Sequence, residues 1–362
     1  MKEKPIKEEA RQHTDSPRVL INLTRWIIGL TLVVIVLGAY TRLSDAGLGC
    51  PDWPGCYGQL LVPQGSEQIE KANQLYPERA VESGKAWLEM IHRYFAGSLG
   101  LMVFAMTFIA IRKTQFRVLP ALISAVIIFQ ALLGMWTVTL KLMPVVVMGH
   151  LLGGFSLLCL LVLFHCRLTF FSLNGEDTSK LDSERQNGML RRWAFASLAV
   201  VALQIILGGW TSSNYAALMC TSLPICEGPW WNYLDFKTAF SFIQPGFDNY
   251  EFGVLEYPAR MTIHVSHRIG AMVTTLVVLG LIWQLIKNDM FKVAIVVCGL
   301  LVVQVGLGIA NVVLHLPLAN AVLHNLVAAI LLSCLVVVNY GLASQAQSVI
   351  AKLDSKQEAY NE

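Results

Sequence analysis

The chain has 362 residues, of which 55% are hydrophobic and 14% charged, with a net charge of +3. A soluble globular domain carries about 25% charged residues, so the composition excludes an ordinary soluble domain. The small net charge, and basic residues that sit beside apolar runs rather than in one patch, exclude a nucleic-acid-binding protein. The mean hydropathy is +0.56, and the charge that remains is confined to connecting segments. Between them lie apolar runs of about 20 residues, each able to cross a hydrocarbon core about 30 Å thick.

The chain opens on MKEKPIKEEARQHTDSPRV, which is too long, acidic and polar for the n-region of a signal peptide, and no small-residue cleavage site follows the first apolar run. The first span is therefore expected to stay as an anchor. Spans are expected at 26–41, 88–111, 118–140, 145–170, 193–211, 261–286, 293–314 and 320–342. With no water to satisfy peptide groups, these runs can cross only as helices. The expected fold class is an all-α integral membrane protein with eight transmembrane helices.

Lys and Arg in the loops set the direction of insertion. Residues 1–25 hold Lys2, Lys4, Lys7, Arg11, Arg18 and Arg25, and the tail adds Lys352 and Lys356. Together with the loops after spans two, four and six, this side holds 18 of the 27 basic residues. Both termini are therefore expected in the cytoplasm, with the long loops 42–87 and 212–260 extracytoplasmic.

Comparing the chain with itself exposes a duplication. LGAYTRLSDAGLGCPDWPGCYG begins at Leu37 and LGGWTSSNYAALMCTSLPICEG at Leu207, aligning Gly38, Thr41, Cys50, Pro54, Cys56 and Gly58 with Gly208, Thr211, Cys220, Pro224, Cys226 and Gly228. Further on, His92 meets His267, and Gln130, Gly134 and His150 meet Gln304, Gly308 and His324. Four spans return the chain to its starting side, so the halves share one orientation about an axis along the membrane normal. The expected organisation is a segment 1–25, a four-helix unit 26–170, a linker 171–192, a second four-helix unit 193–342 and a tail 343–362. The two units form two pseudo-symmetric four-helix bundles.

Of the eight histidines, His13 lies in the polar amino-terminal segment, and His165 and His315 lie near helix ends with no matching histidine in the other half. His92, His150, His267 and His324 fall in the first turns of even-numbered spans and form one layer near the outer face. Ionisable groups inside spans are costly and face a partner in the bundle. A proton path would be staggered through the membrane, and a zinc site would draw its ligands close together, often with thiolate or carboxylate. One imidazole from the second helix and one from the fourth of each half instead suit the two axial positions of a haem iron. Two haem sites follow. Arg93 and Arg268, next in sequence, are candidate propionate contacts or ordinary positive flanks of a span. Gly97, Gly149, Gly153 and Gly154 offer small surfaces for a planar ligand or a neighbouring helix.

The halves differ at one informative place: Glu89-Met-Ile-His92 stands opposite His264-Val-Ser-His267. Glu89 shares a helix face with His92 and is either a proton acceptor beside a haem or a helix-start glutamate favoured by the macrodipole. His264 reads as a supporting or interfacial group rather than an axial ligand. The outer-loop pairs Cys50–Cys56 and Cys220–Cys226 read as local disulfides on an oxidising face, or as redox-active pairs. Cys159, Cys166, Cys298 and Cys334 lie within helices as small apolar residues.

Taken as an ordered set, Glu89-x-x-His92-Arg93, His150, His267-Arg268, His324 and the paired cysteines resemble the haem A synthase family, over about residues 25–340. The resemblance implies an inner-membrane oxidoreductase that oxidises a methyl group of haem O to the formyl group of haem A, by successive hydroxylations and loss of water, for cytochrome c oxidase biogenesis. It implies that His92 and His150 hold the substrate haem O, that His267 and His324 hold a haem b cofactor, that Glu89 is catalytic, and that Cys50–Cys56 takes part in electron or haem handling. Haem O synthase, oxidase assembly factors, an electron donor and a second copy of the chain are the candidate partners, besides membrane lipid. A dihaem b-type electron-transfer protein and a haem transporter or chaperone share the ligands but do not require Glu89.

Overall fold

The computed structural model describes the backbone of residues 5–173 and 188–361 and the side chains of residues 18–169 and 188–344. Lys2, Lys4 and linker residues 174–187 lie outside the described residues, as do the side chains of Lys7, Arg11, His13, Lys352 and Lys356. The elements in order are α1 (Pro5–Leu43), α2 (Ser66–Leu75), α3 (Ser83–Lys113), α4 (Val118–Thr139), α5 (Pro144–Leu173), α6 (Gly188–Ser213), a 3-10 turn (Trp230–Tyr233), α7 (Phe236–Ala239), α8 (Tyr257–Lys287), α9 (Phe291–Val313) and α10 (Leu318–Asn361). All but α2, α7 and the 3-10 turn are long and apolar enough to cross a membrane, giving eight spans among the described residues. No strand occurs there beyond a single bridge between Cys56 and Gln59. The chain is thus an all-helical, multi-pass membrane protein.

Several helices outrun the apolar segments that mark them in the sequence. α3 begins at Ser83 and α8 at Tyr257, each about one turn ahead of the hydrophobic run. Main-chain bonding does not stop where hydrophobicity does, because a helix satisfies its own peptide groups in water and lipid alike. Large apolar side chains such as Trp26, Leu101, Phe108, Leu276, Ile295 and Val302 face outward, as lipid-facing residues do.

In the first half α1 packs on α3, α3 on α4, α4 on α5 and α5 back on α1; in the second, α6 packs on α8, α8 on α9, α9 on α10 and α10 back on α6. α1 and α5 meet α10, and α5 meets α6, across the seam between the halves. At the ends away from the long loops the first ring is closed by Leu20, Ile27, Leu99, Met106, Ile123, Leu161 and Phe164. The second has an apolar core including Val201, Leu281, Leu301 and Leu335, to which Leu158 of α5 adds across the seam.

The turns recur at the same positions in both halves. After α1, Ala46 N–H reaches back to the Thr41 carbonyl at 2.9 Å, and after α6, Ala216 N–H reaches the Thr211 carbonyl at 2.9 Å. Asp45 and Tyr215 take the left-handed φ values of 52° and 53° that this wrap needs, an uncommon conformation for residues other than glycine. The links α4–α5 and α9–α10 turn in the same way on Lys141-Leu142 and His315-Leu316. His315 is thus a turn residue, matching Lys141.

The long loops fold over the helix ends. The Cys50–Cys56 and Cys220–Cys226 disulfides are both formed. Asp52 accepts the main-chain N–H groups of Tyr57 and Gly58 inside the first disulfide loop. In the second, Glu227 accepts the N–H groups of Thr221 and Ser222 and the Thr221 hydroxyl. Burial works against the Glu227 carboxylate, but these bonds outweigh it and hold its pKa down at about 2. Arg79 and Glu251 join the two long loops by two bonds of 2.6 and 3.0 Å, and Tyr250 N–H ties the second loop to the Lys141 carbonyl.

Two outcomes follow from this outer layer. Replacing Glu251 by Gln removes a charge-assisted pair worth about 1.5–3 kcal/mol; a lower unfolding temperature in detergent and faster proteolysis of both loops are expected. Because Glu227 has a depressed pKa in the folded loop, its contribution is complete above the unfolded value and is lost as pH falls from about 4.5 towards 2. Hydrogen exchange at Thr221 and Ser222 should rise over that window in the native protein and be high at every pH in Glu227→Gln.

Candidate functional site

The four matched histidines stand roughly two to three turns inside the long-loop ends of α3, α5, α8 and α10. In each four-helix ring they occupy opposite corners: α3 faces α5, and α8 faces α10. His92 and His150 are brought together with ring centroids 6.4 Å apart and ring planes at 89°. His267 and His324 stand at the matching corners of the second ring. All four are half-buried, packed against a neighbouring helix on one side with accessible surface left on the other.

What each ring packs against is a glycine of the preceding span. A Cβ on Gly38 of α1 would lie 2.9 Å from His92 Cε1, and one on Gly134 of α4 would lie 3.4 Å from His150 Cε1. On Gly208 of α6 and Gly308 of α9 it would lie 3.1 Å from His267 and His324. These four glycines are the site residues that the sequence reading passed over; they sit at matched positions of the duplication, and that was the available signal. The glycines singled out instead behave differently: Gly97 and Gly154 face open space and Gly149 meets Leu133, while Gly153 receives the Gln130 side chain.

The donor set suits haem. With metal–imidazole bonds of about 2 Å, an iron between two imidazoles separates their centroids by roughly 6 Å, close to the His92–His150 spacing. His92, His150 and His324 each also keep a buried Nδ1 with no hydrogen-bond partner, the atom a ligating histidine uses to bind its support.

Beside this layer the two disulfide loops are held by one construction made from different residues. In the first half the buried Glu89 carboxylate accepts the Cys50 N–H at 2.9 Å and pairs with Arg93. Arg93 also donates to the carbonyls of Asp52, Pro54 and Gly55. In the second half the buried His264 ring faces the Cys220 N–H and Arg268 Nε, both at 3.2 Å. Arg268 donates to the carbonyls of Cys220, Ser222 and Ile225. A neutral imidazole has one acceptor nitrogen and cannot bond both donors, whereas a carboxylate can.

This geometry decides several open readings. Glu89 lies beyond the first turn of α3, which begins at Ser83, so the macrodipole does not account for it. Glu89 is the one acidic residue in the buried class among the described residues. Arg93 and Arg268 are not plain flanks of a span, since their guanidinium groups grip the loops. His264 is a supporting group of the loop. Cys159, Cys166, Cys298 and Cys334 are free and half-buried within helices.

Comparison with known proteins agrees with the resemblance read from the sequence. The cytochrome oxidase assembly protein family COX15-CtaA matches residues 22–336. A heme A synthase of Shewanella oneidensis is 52% identical, over 89% of this chain and 98% of its own. A heme A synthase of Rickettsia bellii is 26% identical over 87% and 96%, and one of Parvibaculum lavamentivorans 25% over 73% and 77%. With the match extending over residues 22–336, the chain belongs to the COX15-CtaA family of cytochrome oxidase assembly proteins.

Proposed function

We propose that this protein is an oxidoreductase that makes haem A from haem O for cytochrome c oxidase, oxidising a ring methyl to a formyl group by successive hydroxylations and loss of water. The observation that carries the reading is the pair of matched histidine sites of which one alone has a buried carboxylate beside it. The similarity to heme A synthases over most of the chain gives the reaction its substrate.

On this reading the halves are pseudo-symmetric bundles with different duties, spanning 26–170 and 193–342. His92 and His150 hold haem O as substrate; His267 and His324 hold a haem b cofactor. When bound, haem b supplies one-electron transfer. Glu89 accepts a proton released as the methyl carbon is oxidised, and its contact with the Cys50 N–H keeps it beside the Cys50–Cys56 loop, which is the candidate for electron or haem handling. The Arg93 and Arg268 guanidinium groups orient the loops and reach propionates only through N–H groups not already used there. The distribution of Lys and Arg supports an inner-membrane topology with both termini cytoplasmic and the long loops outside. Haem O synthase and oxidase assembly factors are the partners this chemistry requires on either side of the reaction, together with an electron donor.

Two variants separate chemistry from loop support. Glu89→Gln keeps an acceptor for Cys50 N–H, while Glu89→His copies the arrangement that His264 provides in the other half. If the carboxylate moves a proton, both lower haem A formation at least about 100-fold when membranes are supplied with haem O and the extracted haem is identified by mass. Undiminished haem A from either variant would remove Glu89 from the chemistry. Pigment content gives a further check: His267→Ala should retain haem only at the first pair, so that haem per chain falls by about half.

A further inference from the structure

The odd-numbered spans share more than the glycine that receives a histidine. Four residues before that glycine, one turn away on the same face, stand Gln130 in α4, Gln204 in α6 and Gln304 in α9, but Val34 in α1. The register is the same each time. The main chain of Val34 lies beside the His92 ring, that of Gln130 beside His150 and that of Gln304 beside His324. Gln204 Nε2 lies 2.9 Å from His267 Nδ1 and 2.8 Å from the His267 carbonyl, and Gln304 Nε2 lies 3.3 Å from His324 Nε2.

These amides are incompletely bonded where they stand. Gln130 Nε2, Gln204 Oε1 and Gln304 Oε1 are buried without partners, which is costly for a polar group. Two of them have a seat made for them. A Cβ at Gly153, three residues after His150, would come within 1.7 Å of Gln130 Nε2, and one at Gly270, three residues after His267, within 2.4 Å of Gln204 Oε1. Three residues after His92 stands Phe95, so the His92 position lacks the amide and the seat together.

An imidazole that binds iron through Nε2 carries its proton on Nδ1 and is held by whatever accepts that proton. A carboxamide turned by half a rotation presents its oxygen there. We propose that Gln204 is a positioning residue that locks His267 as an iron ligand, and that Val34, at the same register in α1, leaves His92 without a side-chain amide, as the more weakly held ligand through which haem enters and leaves the first site. The inference rests on the proposed haem-binding role of the four histidines. It assigns a physical cause to the difference between a retained cofactor and a substrate that must exchange.

The test uses full-length protein loaded with haem b. Gln204→Leu should raise the midpoint potential of the second-site haem by about 59 mV, a tenfold change for a one-electron couple, and speed haem loss to an apomyoglobin acceptor about tenfold. Gln204→Glu, which keeps an acceptor, should move the potential downward instead; this variant decides the matter if the leucine variant fails to fold. Val34→Gln combined with Phe95→Gly should slow haem loss from the first site about tenfold. Unchanged potentials and loss rates in variants that bind haem through the four histidines would overturn the proposal alone. Haem content unaffected by replacing His92, His150, His267 and His324 would overturn the haem reading beneath it.

Discussion

Placing four imidazoles inside membrane spans is the constraint to which most of this structure answers. Lipid cannot hydrogen-bond an imidazole, and each unmet polar group inside a protein costs about 1–3 kcal/mol. The chain answers with geometry before chemistry. Gly38, Gly134, Gly208 and Gly308 remove a side chain at the one place where each ring needs room. Opposite corners of the first four-helix ring then bring His92 and His150 together with their ring planes perpendicular. The apolar cores lie towards the far ends of the helices, where buried hydroxyls such as those of Thr24 and Thr107 bond to main-chain carbonyls. The unmet buried atoms include Nδ1 of His92, His150 and His324, which is where an iron ligand needs support.

The outer loops follow from the same layer. Each disulfide closes a short loop over a helix end, and each loop is gripped by an arginine one residue beyond the histidine. Arg93 and Arg268 donate to carbonyls at equivalent places, and Glu89 and His264 face the equivalent cysteine N–H groups. Loop position is therefore tied to the same helical turn that carries an imidazole. The Arg79–Glu251 pair then joins the two loops to each other, so the two caps are mechanically one.

Much of this was legible in the sequence because membrane helices and duplications leave strong linear signals. The eight spans follow from hydropathy alone, and the histidines and cysteine pairs from self-comparison. Helix limits were not legible: Ser83, Gly84, Lys85 and Ala86 are polar or small, yet they continue α3 because main-chain bonding ignores side-chain polarity. That extension changes the meaning of Glu89, which moves from a helix start to a buried turn. Nor could spacing show that Arg93 turns towards the Cys50 loop, since i+1 next to a histidine says nothing about where a long side chain ends. Gly38 and Gly208 were visible as matched letters, but a glycine in a membrane helix is common, and only the neighbouring ring gives it a reason.

The contrast between the halves is the last step. A carboxylate accepts both the Cys50 N–H and Arg93, whereas the His264 ring can satisfy only one of its two donors. Loop support alone would favour glutamate in both halves, because the acceptor is better and the arginine is already present. The second half nonetheless manages with imidazole, so holding the loop does not require a carboxylate. Retaining a buried acid in the first half then needs a reason other than the loop, and moving a proton is something a carboxylate in contact with a single arginine can do. The missing amide at Val34 falls in the same half: under the proposed roles, the site with the acid is also the site whose histidine is less firmly held. A bundle that exchanged haem at one site and kept it at the other would use both differences, and both fall on α1 and α3.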